Sequence, residues 1–153
     1  MTVAAFWRRN RAIGLQLFGW AAASMGVALA LAMGGPTPFT AAVALQFAVW
    51  GAIDAAIAGA GLRAHAVKRA AGAAASLEAS EAERRRTRRL LLVNAGLDVG
   101  YLAVAAALAT IGDPGDARRG HALGVAIQGG FLLLFDAGHA AGLARSLRTP
   151  GPA

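Results

Sequence analysis

Residues 90–111 read LLLVNAGLDVGYLAVAAALATI, a stretch with no lysine or arginine and a single acidic side chain, that of Asp98. A helix needs about 20 mostly apolar residues to cross the hydrocarbon core of a bilayer, where free backbone groups find no partner. This stretch therefore predicts a transmembrane helix. Three further stretches meet the same criterion, so the predicted spans are Ala12–Gly34, Thr40–Leu62, Leu90–Ile111 and His121–Ala144.

The composition of the 153-residue chain is typical of a membrane protein rather than a water-soluble one. Apolar residues make up 57% of the chain and charged residues only 15%, whereas soluble domains have roughly 45–50% and about 25%. Cysteine is absent, which excludes a disulfide-stapled module and a thiolate metal site. We therefore predict an all-α protein, an integral membrane four-helix bundle that forms one membrane domain over residues 1–153.

The positive charges predict the orientation of this bundle, because lysine and arginine accumulate at the cytoplasmic ends of membrane spans. Of the 15 basic residues, 13 lie before the first span, in segment 63–89 or after the fourth span. Only Arg118 and Arg119 lie on the other side. Both termini are therefore expected in the cytoplasm of a multi-pass protein of the inner membrane. The arginine clusters are expected to contact anionic lipid headgroups at the cytoplasmic face, and no nucleic acid partner is expected.

Segment 63–89 is predicted to prolong spans two and three as a helical hairpin in the cytoplasm. Ala70–Ala75 is rich in alanine, a strong helix former. Ser80 and Glu83 have the spacing of a capping box, in which the two side chains satisfy backbone donors at the start of a helix. A helix is therefore expected to start at Ser80. At the other cytoplasmic boundary, Trp7 is expected to be an interfacial anchor.

Three of the eight acidic residues lie inside the predicted spans, where charged groups are costly. Asp54, Asp98 and Asp136 each cost about 2.5–3.5 kcal/mol at a helix centre on insertion scales. Each lies eight residues from the predicted cytoplasmic end of its span. At 1.5 Å per residue, all three are therefore about 12 Å deep. We predict that the three carboxyl groups converge in one layer of the bundle interior.

Other polar and aromatic side chains lie on the same helix faces as the aspartates. Residues three, four or seven positions apart share one side of a helix, and each predicted span carries such a stripe. The stripes predict a bundle with a polar interior that binds a ligand or protons. Besides the aspartates, the predicted members are Trp20, Gln46, Trp50, Asn94, Tyr101, Gln128 and His139.

Three interpretations of this cluster are open. In the leading one, the carboxyl groups bind a cation or protons in a transport- or channel-like device, because three ionised carboxylates cannot share a small pocket of low dielectric. In the second, the three aspartates and His139 hold a divalent metal ion in a membrane enzyme, since bundles bind metals through inward-facing acids and histidines. In the third, the bundle is a scaffold or binds a small ligand, and the acids are hydrogen-bond partners in an internal network.

Gly96 and Gly100 have the spacing of small residues at closely packed membrane helices. They lie on the side of the third span opposite Asp98, so they are expected to face lipid or a second copy of the chain. A homodimer through this face is one hypothesis, and the alternative is that these glycines accommodate neighbouring side chains or bends in the helix. Gly138 and Gly142 have the same spacing in the fourth span.

The segments Asn94–Tyr101 and Gln128–Asp136, with His139 following, resemble small four-span bacterial membrane proteins that carry no assigned function. The resemblance implies the four-helix bundle, and it brings no cofactor and no catalytic or binding residue. The sequence contains no nucleophile motif and no phosphate-binding loop between a strand and a helix. No catalytic residue is therefore predicted.

Overall fold

The computed structural model describes residues 2–72, 76–110, 113 and 115–148. Of residues 146–148, only the backbone is described. The described residues form four α-helices: α1 (Val3–Met33), α2 (Pro38–Ala70), α3 (Leu77–Ala109) and α4 (Ala117–Arg148). Each helix is long and apolar enough to cross a membrane. The prediction of an all-α bundle of four helices, each long and apolar enough to cross a membrane, is thereby confirmed. The predicted last residue of the third span, Ile111, lies outside the described residues.

The helices are longer than the predicted spans, because they continue into the arginine-rich segments. α2 ends at Ala70 rather than Leu62, and α3 begins at Leu77 rather than Leu90. Helical extensions therefore lead into and out of the predicted hairpin, as expected. The alanine-rich stretch is not one continuous helix, since Gly72 has a φ of 80°, a left-handed conformation that favours glycine. Residues 73–75 of that stretch lie outside the described part of the chain.

The predicted start of α3 at Ser80 is wrong, because a serine one turn earlier caps the helix. The hydroxyl of Ser76 accepts a hydrogen bond from the backbone N–H of Ala79, at 3.2 Å. Ser80 lies within the first turns of the helix, where its hydroxyl donates to the carbonyl oxygen of Ser76 at 2.8 Å. A side-chain oxygen that accepts from the third residue of a helix satisfies one of the four free donors at its start. Because Ser76 has this role, the hydroxyl of Ser80 is not needed as a cap and is available for tertiary contacts.

The helices pack as two antiparallel hairpins, α1 with α2 and α3 with α4, which are joined mainly along α2 and α4. Gly120 and Gly124, one turn apart on α4, allow this helix to approach Phe39 and Gln46 of α2 closely. Over the described residues, α2 and α3 do not pack closely against each other. A groove therefore remains between these two helices.

The alternating helices place both ends of the described chain at one end of the bundle. We call it the basic end: α1 and α3 begin there, α2 and α4 end there, and Arg8, Arg69 and Arg85 lie there. The opposite end carries Arg118, the connection around residues 34–37, and the described residues Asp113, Gly115 and Asp116 before α4. That the basic end faces the cytoplasm stays a prediction from the charge distribution.

The outer surface of the bundle is apolar, whereas its interior contains polar groups. Leu29, Met33 and Leu134 are 62%, 78% and 77% exposed. An apolar outer surface of this extent indicates contact with the lipid of a bilayer. The chain is therefore that of a multi-pass membrane protein. Among the described residues, the buried polar and charged side chains are Ser24, Asp54, His65, Ser80, Arg84, Asp98, Gln128 and Asp136.

Candidate functional site

The groove between α2 and α3 is lined by two helix faces with the same spacing. Each wall consists of residues at positions i, i+3, i+4 and i+7, which share one side of a helix. Each wall has its aspartate at position i+4, so the antiparallel helices bring the two aspartates to one level. We call this space the carboxyl groove. Its walls are Trp50, Ile53, Asp54 and Ile57 on α2 and Asn94, Leu97, Asp98 and Tyr101 on α3, and its floor is Leu17 of α1 with Leu132 and Asp136 of α4.

The three aspartates meet in this groove. Asp54, Asp98 and Asp136 are 2%, 3% and 5% exposed. All three aspartates line the same small space, so their carboxyl groups lie close to one another. Asp54 is close enough to interact electrostatically with both. Successive aspartates are about 40 residues apart in the chain. The structure thus brings together side chains that lie on three different helices.

The carboxyl groups in the groove lack the partners that buried charges need. The Oδ2 atoms of Asp54 and Asp98 are buried and have no hydrogen-bond partner. The described residues that line the groove at this level include no lysine or arginine. A carboxylate offers only acceptors, so a hydrogen bond between two carboxyl groups requires that one of them carries a proton. The arrangement is therefore suited to holding protons or a positively charged group.

The carboxyl groove continues toward the basic end. A space of about 150 Å³ around the aspartates adjoins one of about 360 Å³, and Ile57, Asn94 and Asp136 border both. The second space reaches Lys68 and Glu83, whose Nζ and Oε2 atoms form an ion pair at 2.6 Å. The aspartates therefore lie at the inner end of a passage that begins at the charged ends of α2 and α3.

Two aromatic rings meet across the groove on the side away from the basic end. The rings of Trp50 and Tyr101 pack edge to face, with their centroids 4.9 Å apart and their planes at 81°. Edge-to-face packing is a favourable geometry for aromatic pairs. The pair therefore connects α2 to α3 and bounds the carboxyl groove toward the opposite end of the bundle.

Trp20 and Gln128, which the stripes predict as members of the site, form a separate hydrogen-bonded network. The indole Nε1–H of Trp20 donates to Oε1 of Gln128 at 2.8 Å, and Nε2 of Gln128 donates to the hydroxyl of Ser24 at 3.0 Å. The Trp20 ring also stacks on Phe131, with centroids 3.8 Å apart. These contacts join α1 to α4 and do not line the carboxyl groove.

Gln46 and His139 also lie outside the carboxyl groove. Gln46 Nε2 is 2.9 Å from Nδ1 of His121, a hydrogen bond between α2 and α4 toward the opposite end of the bundle. Nε2 of His139 donates to Oε1 of Gln16 at 2.9 Å, so the imidazole faces α1. Of the ten predicted members, the structure therefore brings six together and leaves Trp20, Gln46, Gln128 and His139 elsewhere.

The described residues do not form the divalent metal centre that the second interpretation requires. Among the described residues, no group of three or more histidine, cysteine, aspartate or glutamate side chains could hold a metal ion. His139 points to Gln16 and does not join the aspartates, and Asp54, Asp98 and Asp136 do not form such a group by themselves. A spacing of three residues puts Asp136 and His139 on the same side of α4, but the two side chains meet different neighbouring helices.

Sequence reasoning missed the apolar walls of the groove. Ile53 and Ile57 flank Asp54 on α2, and Leu97 precedes Asp98 on α3. Their spacing of three or seven residues from Trp50 or Asn94 is a signal that could have found them, because such positions share one helix face. The site is thus an apolar groove with a few convergent polar groups, as ligand sites commonly are.

The prediction that Trp7 is an interfacial anchor is wrong. Its side chain is 3% exposed and packs with Phe6, Leu91 and Leu143. Its indole Nε1–H donates to the hydroxyl of Ser80 at 3.0 Å, because the extension of α3 beyond the membrane span covers the start of α1. The ring therefore holds α1 against α3 at the basic end.

One family is similar to this chain. Residues 16–137 match the model of DUF6992, a family of unknown function, over a range that includes both walls of the carboxyl groove and all three aspartates. No curated protein and no solved structure matches the chain. Because the family match covers well over half of the sequence, the protein belongs to the DUF6992 family of unknown function.

Proposed function

We propose that the protein binds protons at the carboxyl groove and exchanges them with the cytoplasm, as the proton-binding step of a transport- or channel-like device. The observation that carries the proposal is the pair of buried, unpartnered Oδ2 atoms of Asp54 and Asp98 beside Asp136. A buried charge without a partner costs several kcal/mol. A proton removes that charge without requiring the helices to move.

Protons suit the three carboxyl groups better than a metal ion does. The described residues contain no metal-holding group, whereas the buried, unpartnered oxygens of Asp54 and Asp98 can each be neutralised by a proton. Buried acidic groups inside membrane spans are characteristic of proton relays and ion pathways. The groove therefore supports a proton-linked function rather than a metalloenzyme.

The route of the protons follows the passage toward the basic end. The predicted orientation places this end in the cytoplasm, so Lys68 and Glu83 mark the entrance and Asp136 the inner end. The Trp50–Tyr101 contact bounds the other side. In a transport cycle, this aromatic contact is the point that separates when the site faces the opposite side of the membrane.

We expect infrared spectra of the protein in lipid vesicles at neutral pH to show the C=O stretch of a protonated, buried carboxyl group. Asp98→Asn and Asp136→Asn made together should reduce this band by at least half, because they remove two of the three buried carboxyl groups. The band should shift in deuterated water to the extent that the groove admits solvent.

The matched control for these spectra is Asp113→Asn, which changes an exposed aspartate in the connection before α4. It should leave the band unchanged. A wild-type spectrum with no protonated carboxyl at neutral pH would overturn the proposal. So would a band that survives Asp98→Asn and Asp136→Asn at full strength.

The proposed route predicts that Ala64→Trp slows proton exchange after a pH jump on the side of the basic end. Ala64 lines the passage between its mouth and the aspartates, and an indole there fills part of the space. The relaxation of the infrared band should slow by roughly tenfold, which corresponds to about 1.4 kcal/mol on the barrier. The amplitude of the band should not change, because the carboxyl groups themselves are intact.

Ala56→Trp is the control for this experiment, since Ala56 is exposed on α2 and does not line the passage. It should leave the exchange rate unchanged. Equal rates in wild type, Ala64→Trp and Ala56→Trp would show that protons reach the cluster by another way.

A further inference from the structure

A concave, arginine-rich surface lies outside the α1/α2 pair at the basic end. It consists of two adjoining cavities of about 600 and 570 Å³. Arg11 and Leu15 of α1 and Arg69 of α2 line both cavities, and Arg8 and Trp7 line the first. We call this surface the arginine pocket. It shares no residue with the carboxyl groove.

The arginine pocket is positively charged and its lining contains no acidic side chain among the described residues. The ion pairs that described acids form at this end lie elsewhere, between Lys68 and Glu83 at 2.6 Å and between Arg85 and Glu81 at 3.5 Å. Like charges gathered in a concave surface raise the local potential and attract anions. The pocket therefore favours a negatively charged ligand.

The level of the pocket along α1 indicates what kind of anion fits. Arg8, Arg11 and Leu15 share a helix face, and from Arg8 to Leu15 the helix rises by about 10 Å. Leu15 and, one turn further, Phe18 are 45% and 49% exposed. The surface thus changes from arginine to apolar side chains along one helix face. This change matches the boundary between the headgroups and the acyl chains of a bilayer.

We propose that the arginine pocket binds the phosphate groups of an anionic phospholipid whose acyl chains lie along Leu15 and Phe18. Guanidinium groups bind phosphate oxygens through paired, charge-assisted hydrogen bonds. Basic pockets between membrane helices are suited to lipids with several negative charges. Because Arg11 and Arg69 border both cavities, the pocket takes two phosphates side by side, so cardiolipin binds more tightly than a lipid with one phosphate.

The test is native mass spectrometry of the purified chain in detergent, with cardiolipin, phosphatidylglycerol and phosphatidylcholine as probes. Cardiolipin should bind most tightly, phosphatidylglycerol less tightly and phosphatidylcholine least. Arg11→Gln and Arg69→Gln should each weaken cardiolipin binding about fivefold, and the double substitution about 25-fold, given the attraction of one basic residue for an anionic lipid surface.

The matched control is Arg89→Gln, which removes the same charge from an exposed position of α3 at the same end. It should leave cardiolipin binding unchanged, and inorganic phosphate should not displace the lipid. The proposal is overturned if Arg89→Gln weakens binding as much as Arg11→Gln or if the double substitution has no effect. Displacement by phosphate alone would likewise overturn it, since the pocket would then bind a soluble anion rather than a lipid.

Discussion

Replacing Gly124 by alanine is expected to lower the free energy of unfolding by about 1–3 kcal/mol, the usual cost of overpacking a well-packed contact. A Cβ atom built at Gly124 lies 2.5 Å from Cβ of Gln46 and 2.8 Å from its Cγ. Because Cβ of Gln46 is bonded directly to the backbone of α2, a rotamer change cannot relieve this clash. α4 must move away from α2, and this contact is the main connection between the two hairpins.

Gly120→Ala should have a comparable effect, since a Cβ there meets the backbone carbonyl of Phe39 and lies 2.9 Å from Cβ of Ala42. Gly130→Ala is the matched control on the same helix, because no heavy atom lies within 4 Å of a Cβ built there. It should leave stability unchanged or raise it, since alanine is a better helix former than glycine.

The measurement for these variants is unfolding in mixed micelles of increasing denaturing-detergent content, followed by circular dichroism. Equal transition midpoints for Gly124→Ala and Gly130→Ala would contradict the close packing of α2 against α4. A loss of stability in Gly130→Ala alone would mean that α4 packs against α2 through the face that carries Gly130 and not through the face that carries Gly124.

Asp54→Asn is expected to act in the opposite direction and to raise the free energy of unfolding by about 1–3 kcal/mol. This range is the usual cost of leaving a buried polar group unsatisfied. The Oδ2 atom of Asp54 is buried without a partner. The substitution makes the side chain neutral without the uptake of a proton, and the new amide group can donate a hydrogen bond to the carboxyl group of Asp98. Stability and the proposed proton binding should therefore change in opposite directions, as is common where a site is kept strained for function.

The same unfolding measurement checks this prediction, with Asp113→Asn as the exposed control. Asp113→Asn should have the same midpoint of unfolding as the wild type. A lower stability of Asp54→Asn would mean that the Asp54 carboxylate is compensated by a partner in the folded state. The buried charge would then not be the reason for proton uptake.

The number of helices and the common level of the aspartates could be predicted from the sequence. Crossing a bilayer requires a long apolar run, and the rise of 1.5 Å per residue converts a position in that run into a depth. Asp54, Asp98 and Asp136 each lie eight residues from a predicted span end, and in the structure they meet. The helix ends were less predictable, because helices continue into water where no apolar pattern marks their limits.

The neighbours of each helix face could not be predicted, as the glycine pairs show. Gly96 and Gly100 have the spacing of a packing motif and lie on the open surface, where a Cβ would meet no heavy atom within 4 Å. The homodimer through this face stays a prediction. Gly120 and Gly124 have the same spacing and form the close contact between α4 and α2.

The sequence by itself determined that this chain has four segments long and apolar enough to cross a bilayer, with three acids at matching positions in them, because both are properties of each segment alone. Only the tertiary structure decided that Asp136 joins Asp54 and Asp98, whereas His139, on the same side of α4, binds Gln16. The partner of a side chain depends on how each helix rotates about its axis and on which helices are adjacent. Both are set by the sum of contacts among all four helices, which no single segment contains.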